Sequence, residues 1–228
     1  MRRSDWVFGV DEAGRGPLLG PMAMAVVGVD RAATDVLTEL GVQDSKRFGS
    51  GAKARKMRGE LAAKILECTN VSRCTLVPVG IIDTYTFQGQ LNGLERQVAR
   101  DLLQAARAPK QAEIICDGAR MFAPMTELYP NLRAVNDGES EHVAVAAASI
   151  LAKHARDQAF EAIMAGYRAE FGEIGGGGYI NAATRKFMSA YEQRYGDVPP
   201  QTRRSWGAEK KRKPNKTTSK PSTQLGLL

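Results

Sequence analysis

The sequence predicts a layered α/β domain that ends in a helical part. Short apolar runs that read as strands, such as residues 6–10 and 22–29, alternate with longer segments in which apolar residues recur at helical spacing. After residue 135 the pattern is mostly helical. Strands that alternate with helices are typical of a central sheet whose faces are covered by helices.

The individual elements follow from these patterns in chain order. The strands are expected at residues 6–10, 22–29, 74–79, 113–116 and 132–135, with the second paired to the first. The helices are expected at residues 52–67, 87–106, 142–167 and 181–195. Small side chains from Val143 to Ser149 would let the third helix lie close to the sheet, and Asn181 is a suitable N-cap for the last.

Length and charge divide the chain into a folded domain, residues 1–206, and a tail, residues 207–228. The chain has 228 residues, enough for one sizeable domain with a helical appendage. The net charge is +7, of which the tail contributes +5. The tail has almost nothing to bury and is predicted to be disordered. Its charge suits a polyanion such as nucleic acid, although a merely solubilising end explains the composition equally well.

Several classes of protein are disfavoured by composition. The three cysteines, Cys68, Cys74 and Cys116, lack the spacing of a disulfide framework or a zinc site, which fits a reducing cytosol. The basic N-terminus is not followed by an apolar segment, so no secretory signal is indicated. The longest uncharged stretch, residues 17–29, is too short to span a bilayer.

The most informative segment is residues 9–17, where an apolar run leads into Asp11 and Glu12 and then into Gly14-Arg15-Gly16. Adjacent carboxylates can hold a divalent cation. Glycines allow a ligand to approach the backbone, and arginine presents a fork of donors suited to phosphate. Neighbouring side chains leave a strand on opposite sides, so both acids can serve one site only if the backbone turns there.

Two further acids stand where strands and helices end or begin. Asp117 follows the apolar run 114–116, where a carboxylate must be solvated, paired or bound to metal. Glu139 precedes the small-residue helix, where the helix dipole favours negative charge. Together with Asp11 and Glu12 they would form a hard oxygen site for Mg²⁺ or Mn²⁺. Taken singly, each acid is equally explained as a turn or helix cap.

Five motifs in order resemble those of ribonuclease HII, the type 2 ribonuclease H family, over residues 6–206. The first is the segment 9–21. The others are Asp44-Ser45-Lys46, Cys116-Asp117-Gly118, the run 147–153 with Arg156-Asp157, and a C-terminal set that is similar to the archaeal branch. That set comprises Gly178-Tyr179, Thr184-Arg185, Pro199-Pro200 and Arg203-Arg204-Ser205-Trp206.

The resemblance implies a ribonuclease H-like fold, a mixed central sheet flanked by helices with a C-terminal helical extension. The implied activity is endonucleolytic cleavage of the RNA strand of RNA–DNA hybrids, and of DNA at embedded ribonucleotides, by two-metal hydrolysis that leaves a 5′-phosphate and a 3′-hydroxyl. Asp11, Glu12 and Asp117 fall on three of the family's four metal-binding acids. The fourth is normally an aspartate, and here it is Glu139, with Asp137 as a less favoured substitute.

The resemblance also implies a substrate surface. The Gly14-Arg15-Gly16 loop would contact the ribonucleotide, where backbone groups can touch the 2′-hydroxyl, and Tyr179 would stack on or support the same sugar. Contacts to phosphate are expected from Lys46, Lys153, Arg203 and Arg204. The C-terminal residues 224–228, from Gln224 to Leu228, resemble the sliding-clamp-binding peptides of bacterial replication and repair enzymes, although a frayed terminus explains them equally well. Nothing in the sequence requires more than a monomer.

Two other hypotheses remain open at this point. A dinucleotide-binding oxidoreductase would explain the glycine-rich segment, but the spacing fails at Leu19, and two carboxylates before the loop would repel a pyrophosphate. A non-catalytic nucleic-acid-binding protein on the same fold would explain Glu139 as a sign of lost activity. Metal-dependent cleavage distinguishes all three.

Overall fold

The computed structural model describes residues 5–43, 49 and 51–208. Its centre is a mixed five-stranded sheet with the order β3-β2-β1-β4-β5. β1 and β2 pair antiparallel, as do β2 and β3, whereas β1 with β4 and β4 with β5 are parallel. The strands are β1 (Val7–Ala13), β2 (Met22–Val29), β3 (Val71–Val77), β4 (Glu113–Asp117) and β5 (Leu132–Val135).

Helices cover both faces of this sheet and extend beyond it. In the described part of the chain they are α1 (Arg31–Glu39), α2 (Ala52–Cys68), α3 (Val79–Phe87), α4 (Leu91–Ala105), α5 (Ala119–Phe122), α6 (Gly138–Glu141), α7 (Val143–Ala165), α8 (Arg168–Phe171), α9 (Ala182–Tyr195) and α10 (Ser205–Ala208). Short 3₁₀ turns lie at Ala123–Glu127 and Gly176–Gly178. The predicted layered α/β architecture with a helical end is therefore confirmed.

The long helix α7 packs directly on β1 and β2, and it carries one side of the site. Every residue from Val143 to Ala152 is buried. The approach is so close that a Cβ atom on Gly9 of β1 would lie 2.2 Å from the backbone carbon of Ala144. The prediction that small side chains bring this helix close to the sheet is confirmed, and the close packing fixes the position of Ser149 opposite the acidic end of β1.

The opposite face of the sheet and the C-terminal part have their own apolar cores. On the opposite face, Phe8 and Val10 of β1 pack with Leu103 of α4. The C-terminal core gathers Leu19, Phe160, Met164, Ile174 and Phe187. Leu19 belongs to the loop between β1 and β2, so the helical end is anchored to the same loop that carries Gly14-Arg15-Gly16.

The structure differs from the predicted elements at several points. Asp11 and Glu12 lie within β1 and do not follow its end. The helix α1 was missed, although Asp30 caps it by accepting the Ala33 amide at 2.9 Å. The strand predicted at 74–79 is wrong at both ends: β3 begins at Val71 and ends at Val77, because Pro78 is the N-cap of helix α3. That helix is rich in β-branched residues, which favour strands by local preference, and packing has overridden the preference.

The arrangement of β1 and β2 answers the oxidoreductase hypothesis. A dinucleotide-binding loop connects a strand to a helix and then to a parallel strand. Here the glycine-containing loop after β1 leads directly to β2, which pairs antiparallel with β1 in the register Ala13↔Ala23. The loop therefore lacks the helix N-terminus that would bind a pyrophosphate, and the structure does not support this alternative.

Candidate active site

Parallel pairing of β1 with β4 brings two acids to one edge of the sheet. The last paired residues are Val10 and Cys116, so Asp11 and Asp117 follow at equivalent positions on neighbouring strands. Strands of one sheet lie about 4.8 Å apart, which places these carboxylates side by side. The first turn after β5 is tied to the same point, because the Gly138 amide donates to the Asp117 carboxylate at 3.2 Å.

Asp11 and Glu12 face different surroundings, as adjacent residues of a strand must. Asp11 is only 4% exposed, accepts a hydrogen bond from the Glu12 amide at 2.7 Å and lies beside the Ser149 hydroxyl. Its pKa is raised well above the usual value by burial, and next by the charges of Glu12 and Asp117. Glu12 instead faces Glu95 and Arg15. The charge of Asp117 acts on both Asp11 and Glu12.

Glu139 completes the acidic group from the α7 side. It is 5% exposed, and one carboxylate oxygen accepts hydrogen bonds from the Ser149 hydroxyl at 2.6 Å and the Lys153 ammonium at 2.8 Å. Because Ser149 also lies beside Asp11, this hydroxyl links the two carboxylates. The structure thus links Glu139 to Asp11 through Ser149 and places Asp117 close to both Asp11 and Glu12, which leave β1 on opposite sides because the strand does not turn there.

The chemistry of this group fits a divalent cation. Asp11, Glu12 and Asp117 repel one another, and burial adds to the cost of their charges. Carboxylate oxygens are the preferred ligands of Mg²⁺ and Mn²⁺, whose charge would remove that repulsion. In the conformation seen, no three acidic, histidine or cysteine side chains within the described ranges are grouped tightly enough to coordinate one ion. Lys153 holds Glu139 in that conformation.

The crowding of Glu12 has a measurable consequence for stability without metal. Burial first, and then the charges of Glu95 and Asp117, raise the pKa of Glu12 from 4.5 to about 7. Below pH 4.5 the group is protonated in both states. As pH rises toward 7 the unfolded chain loses this proton while the folded chain keeps it, so the free energy of unfolding falls by up to about 3 kcal/mol.

Urea unfolding in the presence of a chelator tests this expectation. The wild type should lose stability relative to Glu12→Gln as the pH is raised from 5 to 8. A difference in unfolding free energy between the two proteins that stays constant over this range would show that Glu12 is not crowded by its neighbours.

The Gly14-Arg15-Gly16 loop lies beside the acids and is fixed by buried arginines. Gly14 has φ +79°, and a Cβ there would lie 2.8 Å from the Arg156 side chain, so only glycine fits. Arg203 is fully buried and donates to the carbonyls of Gly14 at 2.6 Å, Arg15 at 2.7 Å and Gly20 at 3.0 Å. The shape of the loop is therefore set by side chains distant in sequence.

Tyr179 stands next to the open side of this loop. A Cβ on Gly16 would lie 3.6 Å from the tyrosine ring, and the ring is 52% exposed. The preceding Gly178, at φ +76°, accepts hydrogen bonds through its carbonyl from the Leu18 amide at 2.8 Å and the Leu19 amide at 3.2 Å. The glycine-rich turn thus places an exposed aromatic ring beside the loop.

Comparison with known proteins shows to which family the chain belongs. Residues 8–209 match the family model described as Ribonuclease HII. The chain belongs to the ribonuclease HII family. A curated ribonuclease HII from Thermococcus sibiricus is 33% identical over 211 residues, 89% of each chain.

Two solved structures of the family are similar throughout. The ribonuclease H2 of Pyrococcus horikoshii aligns with a TM-score of 0.75 at 29% identity and covers 90% of this chain and 96% of its own. Ribonuclease HII of Archaeoglobus fulgidus, solved in a complex with PCNA, aligns with a TM-score of 0.74 at 25% identity, covering 89% and 94%. The expected ribonuclease H-like fold is confirmed, and the protein is a metal-dependent endoribonuclease of the type 2 class.

Four basic residues were assigned to phosphate through resemblance to the ribonuclease HII family, and the structure describes three of them. Lys153 is partly exposed at its pairing with Glu139, and Arg204 is exposed and pairs with Asp197 at 2.7 Å. Arg203 has no exposed surface, so its guanidinium contacts the loop backbone where a phosphate contact was expected. The motif Asp44-Ser45-Lys46, including Lys46, lies outside the described residues, as do residues 209–228.

Three residues of the site were given no role by sequence reasoning, although Arg156 belongs to one of the motifs. Arg156 donates to the Leu19 carbonyl at 2.9 Å. Glu95 is fully buried and accepts the Arg15 Nε–H at 2.8 Å, while Asn92 accepts from another Arg15 nitrogen at 2.7 Å. The available signal for Glu95 was a charged residue on the buried face of α4, between Leu94 and Leu102. Such a charge requires a partner, but the sequence does not identify Arg15 as that partner.

Two further features concern the setting of the protein. Among the described residues, no helix combines the length and the apolar character needed to cross a membrane. All three cysteines are free thiols.

Proposed function

We propose that this enzyme cleaves the RNA strand of RNA–DNA hybrids, and DNA at embedded ribonucleotides, leaving a 5′-phosphate and a 3′-hydroxyl. The observation that carries the proposal is the adjacency of two elements. Four acids converge from β1, β4 and α6, and directly beside them lies a glycine loop held open by Arg203 and flanked by an exposed tyrosine. One element suits phosphodiester hydrolysis, and the other suits a sugar.

The acids Asp11, Glu12, Asp117 and Glu139 would hold Mg²⁺ or Mn²⁺. When bound, two such ions supply an activated water and stabilise the leaving oxygen of an in-line displacement. The protein's own contribution is to hold the carboxylates ready. Ser149 orients Glu139 and lies beside Asp11, and Gly138 fixes Asp117. Lys153, which pairs with Glu139 at 2.8 Å, offers a cation at the edge of the site for a substrate phosphate.

The loop and Tyr179 would recognise the ribonucleotide. The 2′-hydroxyl distinguishes RNA from DNA locally, and it can both donate and accept. Arg203 donates hydrogen bonds to the carbonyls of Gly14 and Arg15, and the Trp206 indole N–H donates to the Gly16 carbonyl at 3.1 Å. These bonds hold the backbone of the loop in one rigid surface. Tyr179 would bound the sugar on the open side of Gly16. Exposed phosphate contacts are assigned to Lys153 and Arg204, and Lys46 remains assigned by its motif alone.

A matched set of duplexes tests this function. One carries a single ribonucleotide in DNA, one is an RNA–DNA hybrid and one is DNA throughout. With Mg²⁺ or Mn²⁺ we expect cleavage of the first two only, and end-group analysis of the products should show a 5′-phosphate and a 3′-hydroxyl. Binding of the ribonucleotide duplex without cleavage in either metal would favour the non-catalytic alternative.

Gly16→Ala should separate substrate recognition from folding. The added methyl group would lie in ordinary contact with Tyr179, at 3.6 Å, and Gly16 has no positive φ, so we expect the melting temperature to be unchanged. The methyl group would occupy the face that the sugar approaches. The ratio kcat/KM on the single-ribonucleotide duplex should fall about a hundredfold, since small misplacements at a reacting centre have effects of that size. Wild-type kcat/KM in this variant would remove the loop from sugar recognition.

The proposal extends to a partner, a cellular setting and an oligomeric state. Residues 224–228 lie outside the described part of the chain, and their resemblance to clamp-binding peptides is supported by the Archaeoglobus fulgidus relative solved with PCNA. A clamp pull-down that is equal with and without Gln224 to Leu228 would refute this. We place the enzyme in a reducing cytosol because its three thiols are free, and we propose a monomer because one chain supplies every residue assigned to the site. Light scattering at 24.7 kDa would support the monomer.

A further inference from the structure

A second cavity lies on the other side of Arg15 from the acids. The first cavity, about 480 Å³, is lined by Glu12 together with Arg15 and Asn92. The second, about 340 Å³, is lined again by Arg15 and Asn92, and also by Thr86 and Trp206. The bonded pair Arg15 and Asn92 therefore separates two adjoining cavities. A strand that lies in the first and passes Arg15 enters the second.

The N-terminus of α4 opens into the second cavity. Leu91 and Asn92, the first residues of this 15-residue helix, line it. The first helical bond is from the Leu94 amide to the Gln90 carbonyl at 3.0 Å, so the amides before it precede the hydrogen-bonded ladder. Within the described chain no side chain caps this end, and its first turn contains no acid. Such an end attracts anions through its free amides and its dipole.

Thr86 is the independent sign of a ligand. This residue of α3 is 6% exposed and lines the cavity, and its hydroxyl has no hydrogen-bond partner among the described residues. A buried hydroxyl without a partner costs about 1–3 kcal/mol, so native proteins rarely keep one without a reason. A bound group that accepts a hydrogen bond would remove that cost.

The charges around the cavity also favour an anion. None of the described residues that line it is acidic. Arg15 reaches it directly, and the buried Arg203 guanidinium lies 4.9 Å from the centre of the Trp206 ring that forms one wall. These two cations are partly offset by buried Glu95, which pairs with Arg15 and also lies near Arg203, and by Asp83.

We infer that this second cavity binds a phosphodiester of the substrate strand, adjacent to the linkage that lies at the acids. The inference rests on the proposed function. The donors on its walls are the α4 amides and the remaining N–H groups of Arg15, and the buried Thr86 hydroxyl lies behind the same wall. All of them suit phosphate oxygens. The site holds the strand past the Gly14-Arg15-Gly16 loop, and it adds affinity without reading a base.

Neutralising single phosphates tests the site. A series of single-ribonucleotide duplexes carries one uncharged methylphosphonate linkage, moved stepwise along the strand. Binding is measured with Asp11→Asn, so that no cutting occurs, and compared with the double variant that also carries Thr86→Val. Thr84→Val is the matched control, because Thr84 lies on the exposed side of α3 and donates to the Gly80 carbonyl.

We expect one linkage at which neutralisation weakens binding about tenfold, and Thr86→Val should weaken binding of the unmodified duplex by about as much. Combining the two should add less than about twofold, because both remove the same contact. Thr84→Val should match the parent protein. The inference would be overturned if the losses of affinity from the neutral linkage and from Thr86→Val were independent of each other. It would also be overturned if adding Thr86→Val left the affinity of the parent protein unchanged.

Two checks keep the result interpretable. If Thr86→Val does not fold, Leu91→Glu replaces it, since an acid at the first position of α4 suits the helix but repels phosphate. It should abolish the penalty at the same linkage, and an unchanged penalty would overturn the inference. Failure of the Asp11→Asn protein to bind the unmodified duplex would refute the proposed function itself, whereas normal binding with no sensitive linkage would refute only the second cavity.

Discussion

Asp11→Asn should reduce metal-dependent cleavage of the single-ribonucleotide duplex about a thousandfold or more. Asp11 is central to the acidic group, since it lies beside Asp117 across the parallel strands and shares the Ser149 hydroxyl with Glu139. The amide has the same shape but no charge to offer a cation. Loss of several kcal/mol of transition-state stabilisation corresponds to a factor of this size. Single-turnover rates in Mg²⁺ and Mn²⁺ measure it.

The same substitution should leave the fold intact or stabilise it. Burial and the charges of Glu12 and Asp117 already oppose ionisation of Asp11, so removing its charge relieves repulsion in the metal-free protein. The matched control is Asp101→Asn, because Asp101 is exposed on α4 and only accepts from Gln97. Asp101→Asn should cleave like the wild type. Cleavage by Asp11→Asn at the wild-type rate would contradict the assignment of the acids.

Arg203→Met should destabilise the protein and disable the loop together. Arg203 is fully buried, and its three hydrogen bonds end on backbone carbonyls that methionine would leave without donors. Burial, and next the charge of Arg156, lower the pKa of Arg203 to about 10, so it remains a cation at neutral pH. Unsatisfied buried acceptors of this kind cost about 3–5 kcal/mol together, or about 10 °C in melting temperature.

The neighbouring arginine provides the control. Arg204→Met removes an exposed pair with Asp197, and surface pairs of this kind contribute little to stability. Arg203→Lys should restore part of the stability while kcat/KM on the ribonucleotide duplex stays low, because an ammonium cannot reproduce the fork that fixes the carbonyls of Gly14 and Arg15. If Arg203→Lys recovers full activity, or Arg203→Met is as stable as Arg204→Met, the loop does not depend on this guanidinium.

The fold was predictable where one local pattern determines an element. β2 and β5 have the predicted bounds, and Asn181 caps α9 as expected, accepting the Thr184 amide at 3.0 Å. The predictions fail where tertiary packing, and not local preference, determines the type or the bounds of an element. Helix α3 is built from residues with strand preference, and only its burial against β2 and α4, through Ile82, reveals it. The extension of β1 through Asp11 and Glu12 depends on its pairing partners.

Resemblance to the family assigned the acids, the loop and Tyr179 to a candidate site, but the sequence did not predict the contacts among them. The parallel register of β1 and β4 places Asp117 beside Asp11. The register between two strands that are distant in the chain cannot be read from the sequence of either one. The role of Arg203 was misjudged for a physical reason. Resemblance to the family assigned this arginine to phosphate, whereas its burial depends on contacts between segments distant in sequence, such as the bridge between Leu19 and Thr202.

The central claim is that Asp11, Glu12, Asp117 and Glu139 form one metal site beside the ribonucleotide-reading loop. Anomalous diffraction from crystals of the wild type soaked in Mn²⁺ locates the ions without reference to activity. The predicted result is density within about 2.0–2.6 Å of oxygens from Asp11 and Asp117, with Glu139 turned from Lys153 toward the same ions. Mn²⁺ bound elsewhere, or Glu139 still paired with Lys153 at full occupancy of the site, would contradict it.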